Sequence, residues 1–152
     1  MSMIVDIAPC SDVLRVRLSG DFSLGESCVI ITRIYEGLVQ HGLQKVLVDF
    51  RPVTGEPTML DRFLHAVFVA KEMDRFSSAG VSRTALFVYL GTEPVIDKGR
   101  FGETVARNRG INVKVTDSRK QAALWLGIDP AGAASERDVS NMESLLFGRD
   151  SE

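Results

Sequence analysis

Short runs in which apolar and polar side chains alternate open the chain and predict two β-strands, over 3–8 and 13–18. Pro9 to Asp12, between them, have the composition of a turn, so the strands are expected to form a hairpin. From position 14 to position 18 the even residues are apolar and the odd ones polar, which predicts one buried face and one partly wet face.

Apolar residues then recur at helical spacing, and three of the helical stretches follow a hydroxyl residue. Ser23, Thr58 and Ser118 can each accept a hydrogen bond from a backbone N–H of the first turn, which is how a helix start is capped. A further helix has no such cap and ends at Arg109-Gly110. The four helices are expected over 24–41, 58–76, 99–108 and 118–126.

Three apolar runs between the helices predict further strands, over 45–50, 83–90 and 111–115. The resulting order, β-β-α-β-α-β-α-β-α, predicts an α/β fold with a mixed, mostly parallel sheet of about five strands and helices packed on it. This domain is expected to span 1–128. Residues 129–152 are expected to form a mobile tail with a short docking helix.

The helix that begins at Thr58 is expected to bury one apolar stripe and to expose a polar one. The stripe expected to be buried consists of Leu60, Phe63, Leu64, Val67 and Ala70. Phe68 falls between Asp61, His65 and Arg75 on the face expected to be wet. An aromatic residue there indicates a second contact surface, and the sequence leaves open whether that surface is used within the monomer or in a dimer.

Length and composition place the chain among ordinary globular domains, with 152 residues, 45% hydrophobic and 25% charged. A formal charge of −2 gives no overall field that would hold nucleic acid. No stretch approaches the length needed to cross a bilayer, so a cytoplasmic location is expected. Cys10 and Cys28 lack metal-ligand spacing and are expected to be reduced thiols, with Cys28 in the core. No metal or cofactor is expected.

Histidine is the side chain most often used for proton transfer near neutral pH. His41 and His65 are nevertheless predicted to have surface or capping roles, because no serine or cysteine stands in the sequence context of a nucleophile. No catalytic residue is therefore predicted, and an enzyme is the least favoured class.

Lys98, Arg100 and Arg107 belong to a basic stretch that could bind an acidic partner or a phosphorylated group. Arg100, Glu103 and Arg107 follow one another at spacings of three and four residues. Since residues at this spacing share a helical face, a solvated row of ion pairs is favoured over an anion site.

The order of elements, the strand Val46–Phe50 followed by a turn and a long helix, and the closing pattern from Val113 to Leu126 resemble the STAS domains. The resemblance is strongest to the SpoIIAA-like group, which is related to anti-sigma-factor antagonists, and it covers about 3–128. It implies a non-enzymatic regulatory module that binds a protein partner or forms a homodimer. The surface expected to make this contact consists of Thr58, Asp61, His65 and Phe68.

In antagonist-type STAS proteins a serine or threonine at the start of the corresponding helix is phosphorylated. Thr58 is the hydroxyl residue at that place and is the candidate phosphosite, although Glu56-Pro57 differs from the usual Asp-Ser sequence and helix capping is the favoured role. The SpoIIAA-like topology is also similar to that of CRAL-TRIO domains, which bind apolar ligands in a pocket. A small apolar ligand or a lipid is therefore the alternative partner.

Overall fold

The computed structural model describes residues 3–127 and 144–148 of the chain. The strands are β1 (Met3–Cys10), β2 (Val13–Asp21), β3 (Lys45–Asp49), β4 (Val53–Thr54), β5 (Leu86–Leu90) and β6 (Asn112–Thr116). The helices are α1 (Leu24–His41), α2 (Met59–Ser77), α3 (Phe101–Asn108) and α4 (Arg119–Trp125). The predicted order is confirmed, with β4 as an additional, two-residue strand.

The strands form one sheet in the order β1-β2-β3-β5-β6, and β4 pairs with the far end of β2. β1 is antiparallel to β2, whereas the other pairs are parallel. The mixed, mostly parallel sheet predicted from the sequence is therefore confirmed. β3 and β5 lie at its centre, where an apolar run with no alternation is expected because both faces are covered.

The opening hairpin has a tighter turn than the composition indicated. Pro9 and Cys10 continue β1 and pair with Leu14 and Val13, so that only Ser11 and Asp12 make the turn. Proline is tolerated there because β1 is an edge strand, on which one side of the backbone needs no partner strand.

Three of the four helices begin as predicted. The side chains of Ser23, Thr58 and Ser118 each accept a hydrogen bond from the backbone N–H three residues on. α3 begins differently, because its first backbone N–H, that of Phe101, donates to both carboxylate oxygens of Asp97 at 3.0 Å. Capping thus fixes where α1, α2 and α4 start, and a loop carboxylate fixes the start of α3.

α1, α2 and α3 cover one face of the sheet, and we call this side the front layer. Its core is formed by apolar side chains of the helices and of alternate strand positions, among them Leu14, Val16, Ile34, Val48, Phe87 and Val113. The side chains of β2, β3 and β5 alternate between this layer and the opposite one, as the pleat of a strand requires.

α4 and a helical turn at 144–147 cover the other face, which we call the back layer. Its core includes Cys10, Leu47, Val88, Leu90, Ala122, Leu126, Leu146 and Phe147. The carbonyl of Leu145 accepts from Arg15 Nη1 at 3.1 Å, and that of Phe147 from Arg51 Nη2 at 3.1 Å. Residues 144–148 therefore dock on the sheet, while the rest of the predicted tail, 129–143 and 149–152, lies outside the described residues.

The cysteines are placed differently from the prediction. Cys28 is only half-buried, whereas Cys10 is the cysteine in the core. No disulfide joins them. Burial raises the pKa of the Cys10 thiol, which keeps it protonated at neutral pH.

α2 turns a different face to the core from the one predicted. Leu60 is 63% exposed and Leu64 is 39% exposed, so the stripe of Leu60, Phe63, Leu64, Val67 and Ala70 is not the buried one, and that prediction is wrong. The fully buried residues of α2 are Ala66, Val69, Glu72 and Met73. Polar residues enter this face because they find partners: Glu72 accepts from Thr32 Oγ1 at 3.0 Å and pairs with Arg75 at 2.9 Å.

Phe68 also lies on the inner side of α2. Its ring is half-buried and packs against the front core. Of the two roles that the sequence left open for Phe68, the structure shows the contact within the monomer.

Candidate functional site

A cavity of about 160 Å³ lies in the front layer, between the sheet and helices α2 and α3. Its walls are mainly apolar, and they include Leu18, Val48, Phe50, Val69, Phe87 and Val113. Ile96 and Asp97, from the segment between β5 and α3, also line it, as do Arg100 and Glu103 at the start of α3. The cavity lies near the carboxyl ends of the parallel strands, which is where α/β sheets commonly hold ligands.

A chain of hydrogen bonds enters the cavity from α1. Ser27 Oγ donates to the carbonyl of Leu24 at 2.8 Å and lies 3.2 Å from His65 Nδ1. Since the single hydroxyl hydrogen of Ser27 points to Leu24, its oxygen must accept, and Nδ1 of His65 must carry the hydrogen. Nε2 of the neutral ring is then an acceptor, and it accepts a hydrogen bond from the hydroxyl of Tyr89 at 3.3 Å.

The imidazole of His65 and the phenol ring of Tyr89 are both uncharged at neutral pH. Burial lowers the pKa of His65 to about 4, because the apolar surroundings disfavour the imidazolium form. Burial raises the pKa of Tyr89 above its ordinary value. His65 is half-buried and lines the cavity, so it does not occupy the exposed position predicted for it.

The contact between Ser27 and His65 has the residue types of a nucleophile and its base, but not the hydrogen-bond direction. A general base must present a bare nitrogen to the hydroxyl hydrogen, whereas His65 presents an N–H to the oxygen of Ser27. Asp61 also lines the cavity, but its carboxylate accepts from the backbone N–H of Thr58 at 3.0 Å. The arrangement holds the imidazole in place without activating the serine.

Arg62 links α2 to the segment that closes the cavity, and sequence reasoning did not identify it. Its guanidinium donates to the carbonyls of Pro94 at 2.8 Å and Val95 at 3.1 Å. It also donates to the carbonyl of Pro57 at 2.5 Å and lies 3.5 Å from the carboxylate of Asp97. With its side chain 12% exposed, Arg62 holds the two walls together. An arginine between two positions of the predicted stripe, Leu60 and Phe63, gives no signal of this role.

Thr58 and Asp61 meet at the start of α2 in a reciprocal capping box. Thr58 Oγ1 accepts from Asp61 N at 3.0 Å, and the carboxylate of Asp61 accepts from Thr58 N at the same distance. Thr58 is exposed and borders a second, shallow cavity of about 470 Å³, which Glu56 and Lys98 also line. Of the predicted contact residues, Thr58 therefore lies outside, while His65 and Phe68 lie inside.

The three basic residues of the predicted anion site lie at opposite ends of α3. Lys98 is exposed in the loop before this helix, and Arg100, which lines the main cavity, directly precedes it. Arg107 is exposed in the last turn, a separation from Arg100 of roughly 10 Å along the axis at 1.5 Å per residue. The structure thus does not bring the three together, and anion binding stays a prediction.

The outer face of α2 exposes three large apolar side chains near its start. Met59 is 53%, Leu60 63% and Leu64 39% exposed. Leu60 and Leu64 are four residues apart and therefore stand one turn above the other on the same side of the helix. We call these three residues the outer patch of α2.

Two features commonly associated with function are not found in the parts of the chain that are described. Within 3–127 and 144–148, no three side chains of histidine, cysteine, aspartate or glutamate converge as metal ligands would. None of the helices described combines the length and the apolar character needed to cross a lipid bilayer.

The fold is that of the anti-sigma-factor antagonists. A crystal structure of an anti-sigma factor antagonist from Mycobacterium paratuberculosis superimposes with a TM-score of 0.54 at 10% identity, covering 82% of this chain and 93% of that one. At this identity the likeness concerns the fold, and it confirms the STAS-type architecture expected from the sequence. No protein-family model matches the sequence, and no curated protein matches it significantly.

Proposed function

We propose that this protein is a non-enzymatic regulatory module of the cytoplasm that binds a protein partner through the outer patch of α2. The observation that supports the proposal most is the exposure of Leu60 and Leu64 on one side of α2, with Met59 also exposed at the start of this helix, next to the candidate phosphosite. The STAS-type fold supports a regulatory role, since the structurally similar protein is an anti-sigma factor antagonist.

The outer patch has the character of the centre of a protein interface. Exposure of leucine and methionine side chains to water is unfavourable, and contact with a partner would bury them. Neighbouring Thr58 and Asp61 give the patch a polar edge. A phosphate on Thr58 would add about two negative charges to that edge, next to the Asp61 carboxylate, and would change partner affinity more than helix stability because it sits at a helix N-terminus.

A photo-crosslinking amino acid placed at position 60 in cells tests the proposal. Leu124 on α4 is the matched control, because it is also an exposed leucine on a helix, at 54% against 63% for Leu60. We expect a protein to be crosslinked from position 60 and not from position 124, and we expect Leu64→Asp to remove that product.

Three outcomes would contradict this assignment. Equal crosslinking at both positions would mean that the outer patch has no special role. Retention of the product in Leu64→Asp would place the contact elsewhere on the chain. Crosslinks only between copies of this chain would make the patch a homodimer interface, and light scattering of Leu60→Asp would then show a halved mass.

A further inference from the structure

We infer that the front-layer cavity is a binding site for a small, uncharged, single-ring molecule that carries one hydrogen-bond donor, such as a phenol. The site is distinct from the outer patch of α2 and stands on its own observations. These are the size of the cavity, its apolar lining and the direction of the hydrogen bonds that end at Tyr89.

The volume sets the size of the ligand. Pockets for drug-sized ligands measure about 300–1,000 Å³, and the cavity of about 160 Å³ is roughly half of the lower value. An apolar protein cavity of about 150 Å³ is known to take up benzene. The cavity therefore suits one aromatic ring, and the long acyl chain of a lipid would extend beyond it.

The direction of the hydrogen bonds sets the polarity of the ligand. Tyr89 gives its hydroxyl hydrogen to His65, and His65 gives its own to Ser27, whose hydrogen goes to the carbonyl of Leu24. Each donor among these three side chains already has a partner, and the oxygen of Tyr89 can still accept a hydrogen bond. The cavity thus presents an acceptor at its polar end, and a ligand with an O–H or N–H is matched to it.

The charges near the cavity argue against an ionic ligand. The guanidinium of Arg62 is already used by three carbonyls and by Asp97. The carboxylate of Asp61 is used by the cap of α2. His65 stays neutral because burial lowers its pKa to about 4. Arg100 also lines the cavity, but with Glu103 the charged lining is three carboxylates against two guanidinium groups. A carboxylate on the ring would therefore meet no excess of positive charge and would enter the apolar cavity at a high desolvation cost.

Amide-detected NMR titration of the whole protein with phenol, toluene and benzoate tests the inference. Phenol and toluene have the same number of heavy atoms, and only phenol carries a donor. Because a neutral hydrogen bond contributes about 0.5–1.5 kcal/mol, we expect phenol to bind roughly 2–10-fold more tightly than toluene. Benzoate is expected to bind at least about tenfold more weakly than phenol.

Two tyrosine variants isolate the acceptor. Tyr89→Phe should reduce the affinity for phenol at least to that for toluene, because the phenol hydroxyl would lose its acceptor, and it should leave the affinity for toluene unchanged. Tyr35→Phe is the matched control, because Tyr35 is a buried tyrosine of the same layer that does not line the cavity, and it should leave both affinities unchanged. Equal affinity of phenol and toluene in the unchanged protein, or no effect of Tyr89→Phe, would overturn the assignment of the acceptor.

The location of the ligand is tested separately. Ala66→Leu should fill the cavity, because Ala66 is buried in its wall, and both ligands should lose binding. Should this variant not fold, the shifts in the unchanged protein decide, since amides of 65–69 and 87–89 should move and those of 122–126 should not. No saturable binding, or shifts centred on the back layer, would overturn the site.

Discussion

The two layers of the molecule are packed in different ways. In the back layer, apolar side chains close directly on the sheet, with Leu47 and Ala122 fully buried and Leu126 1% exposed. In the front layer the helices surround a cavity of about 160 Å³ and two uncharged polar rings. The comparison indicates that the back layer is closely packed on the sheet, whereas the front layer, which holds the larger core, leaves a cavity among its side chains.

A pair of equal truncations tests this difference most strongly. Leu47 lies in the back core, whereas Leu18 already borders the cavity and so has fewer neighbours to lose. Leu→Ala in a core costs about 2–5 kcal/mol, more where a larger void is created in tight packing. We expect about 4 kcal/mol for Leu47→Ala and about 2 kcal/mol for Leu18→Ala in urea unfolding. Equal losses would mean that the layers are packed alike.

The buried imidazole predicts a pH dependence that comes from the front layer alone. The pKa of His65 is about 4 in the folded protein and 6.5 in the unfolded chain, so the unfolded state binds more protons between these values. Stability should therefore fall as the pH drops from 6.5 to 4, by about 3 kcal/mol in total at about 1.4 kcal/mol per pKa unit.

His65→Gln separates this contribution from that of the carboxylates. The variant should remove the part of the slope that belongs to His65 and leave the part that belongs to the carboxylates. An unchanged slope in His65→Gln would show that this imidazole is not buried in its neutral form.

Removing a helix cap should lower the free energy of unfolding by the same amount in both layers. Thr58→Ala removes the cap of α2 in the front layer, and Ser118→Ala removes that of α4 in the back layer. Each is expected to cost about 1 kcal/mol, because a cap acts on the first helical turn and not on the packing beneath it. A much larger loss for either, measured by urea unfolding, would assign that hydroxyl a tertiary role.

The outer patch is expected to give the smallest effect on stability. Leu60→Asp changes a side chain that is 63% exposed, and the free energy of unfolding should shift by no more than about 0.5 kcal/mol. A loss of several kcal/mol would show that Leu60 is buried in the folded protein and is no contact residue.

Local signals in the sequence were sufficient for most of the fold. Ser23, Thr58 and Ser118 mark helix starts because a cap depends on residues three positions away, and such a pattern is visible along the chain. β4 was missed because two residues, Val53 and Thr54, give no periodicity to read.

The candidate site could not be predicted in this way because its polar residues find partners far along the chain. His65 bonds to residues 38 and 24 positions away, and Glu72 bonds to Thr32, 40 positions away. Without these partners both residues indicate a wet face, and the buried side of α2 was therefore assigned wrongly. A cavity, likewise, is a space between elements and leaves no pattern in any one of them.

Nitrogen-detected NMR of the imidazole of His65 tests the central claim most directly. The hydrogen-bond chain from Tyr89 to Leu24 requires the neutral tautomer with the hydrogen on Nδ1, and burial requires that it persist down to a pH of about 4. We predict an Nδ1–H signal and an unprotonated Nε2 at about pH 7 and at about pH 5, both above the lowered pKa. An Nε2–H tautomer, or protonation of the ring near its ordinary pKa of 6.5, would contradict the proposed hydrogen-bond chain.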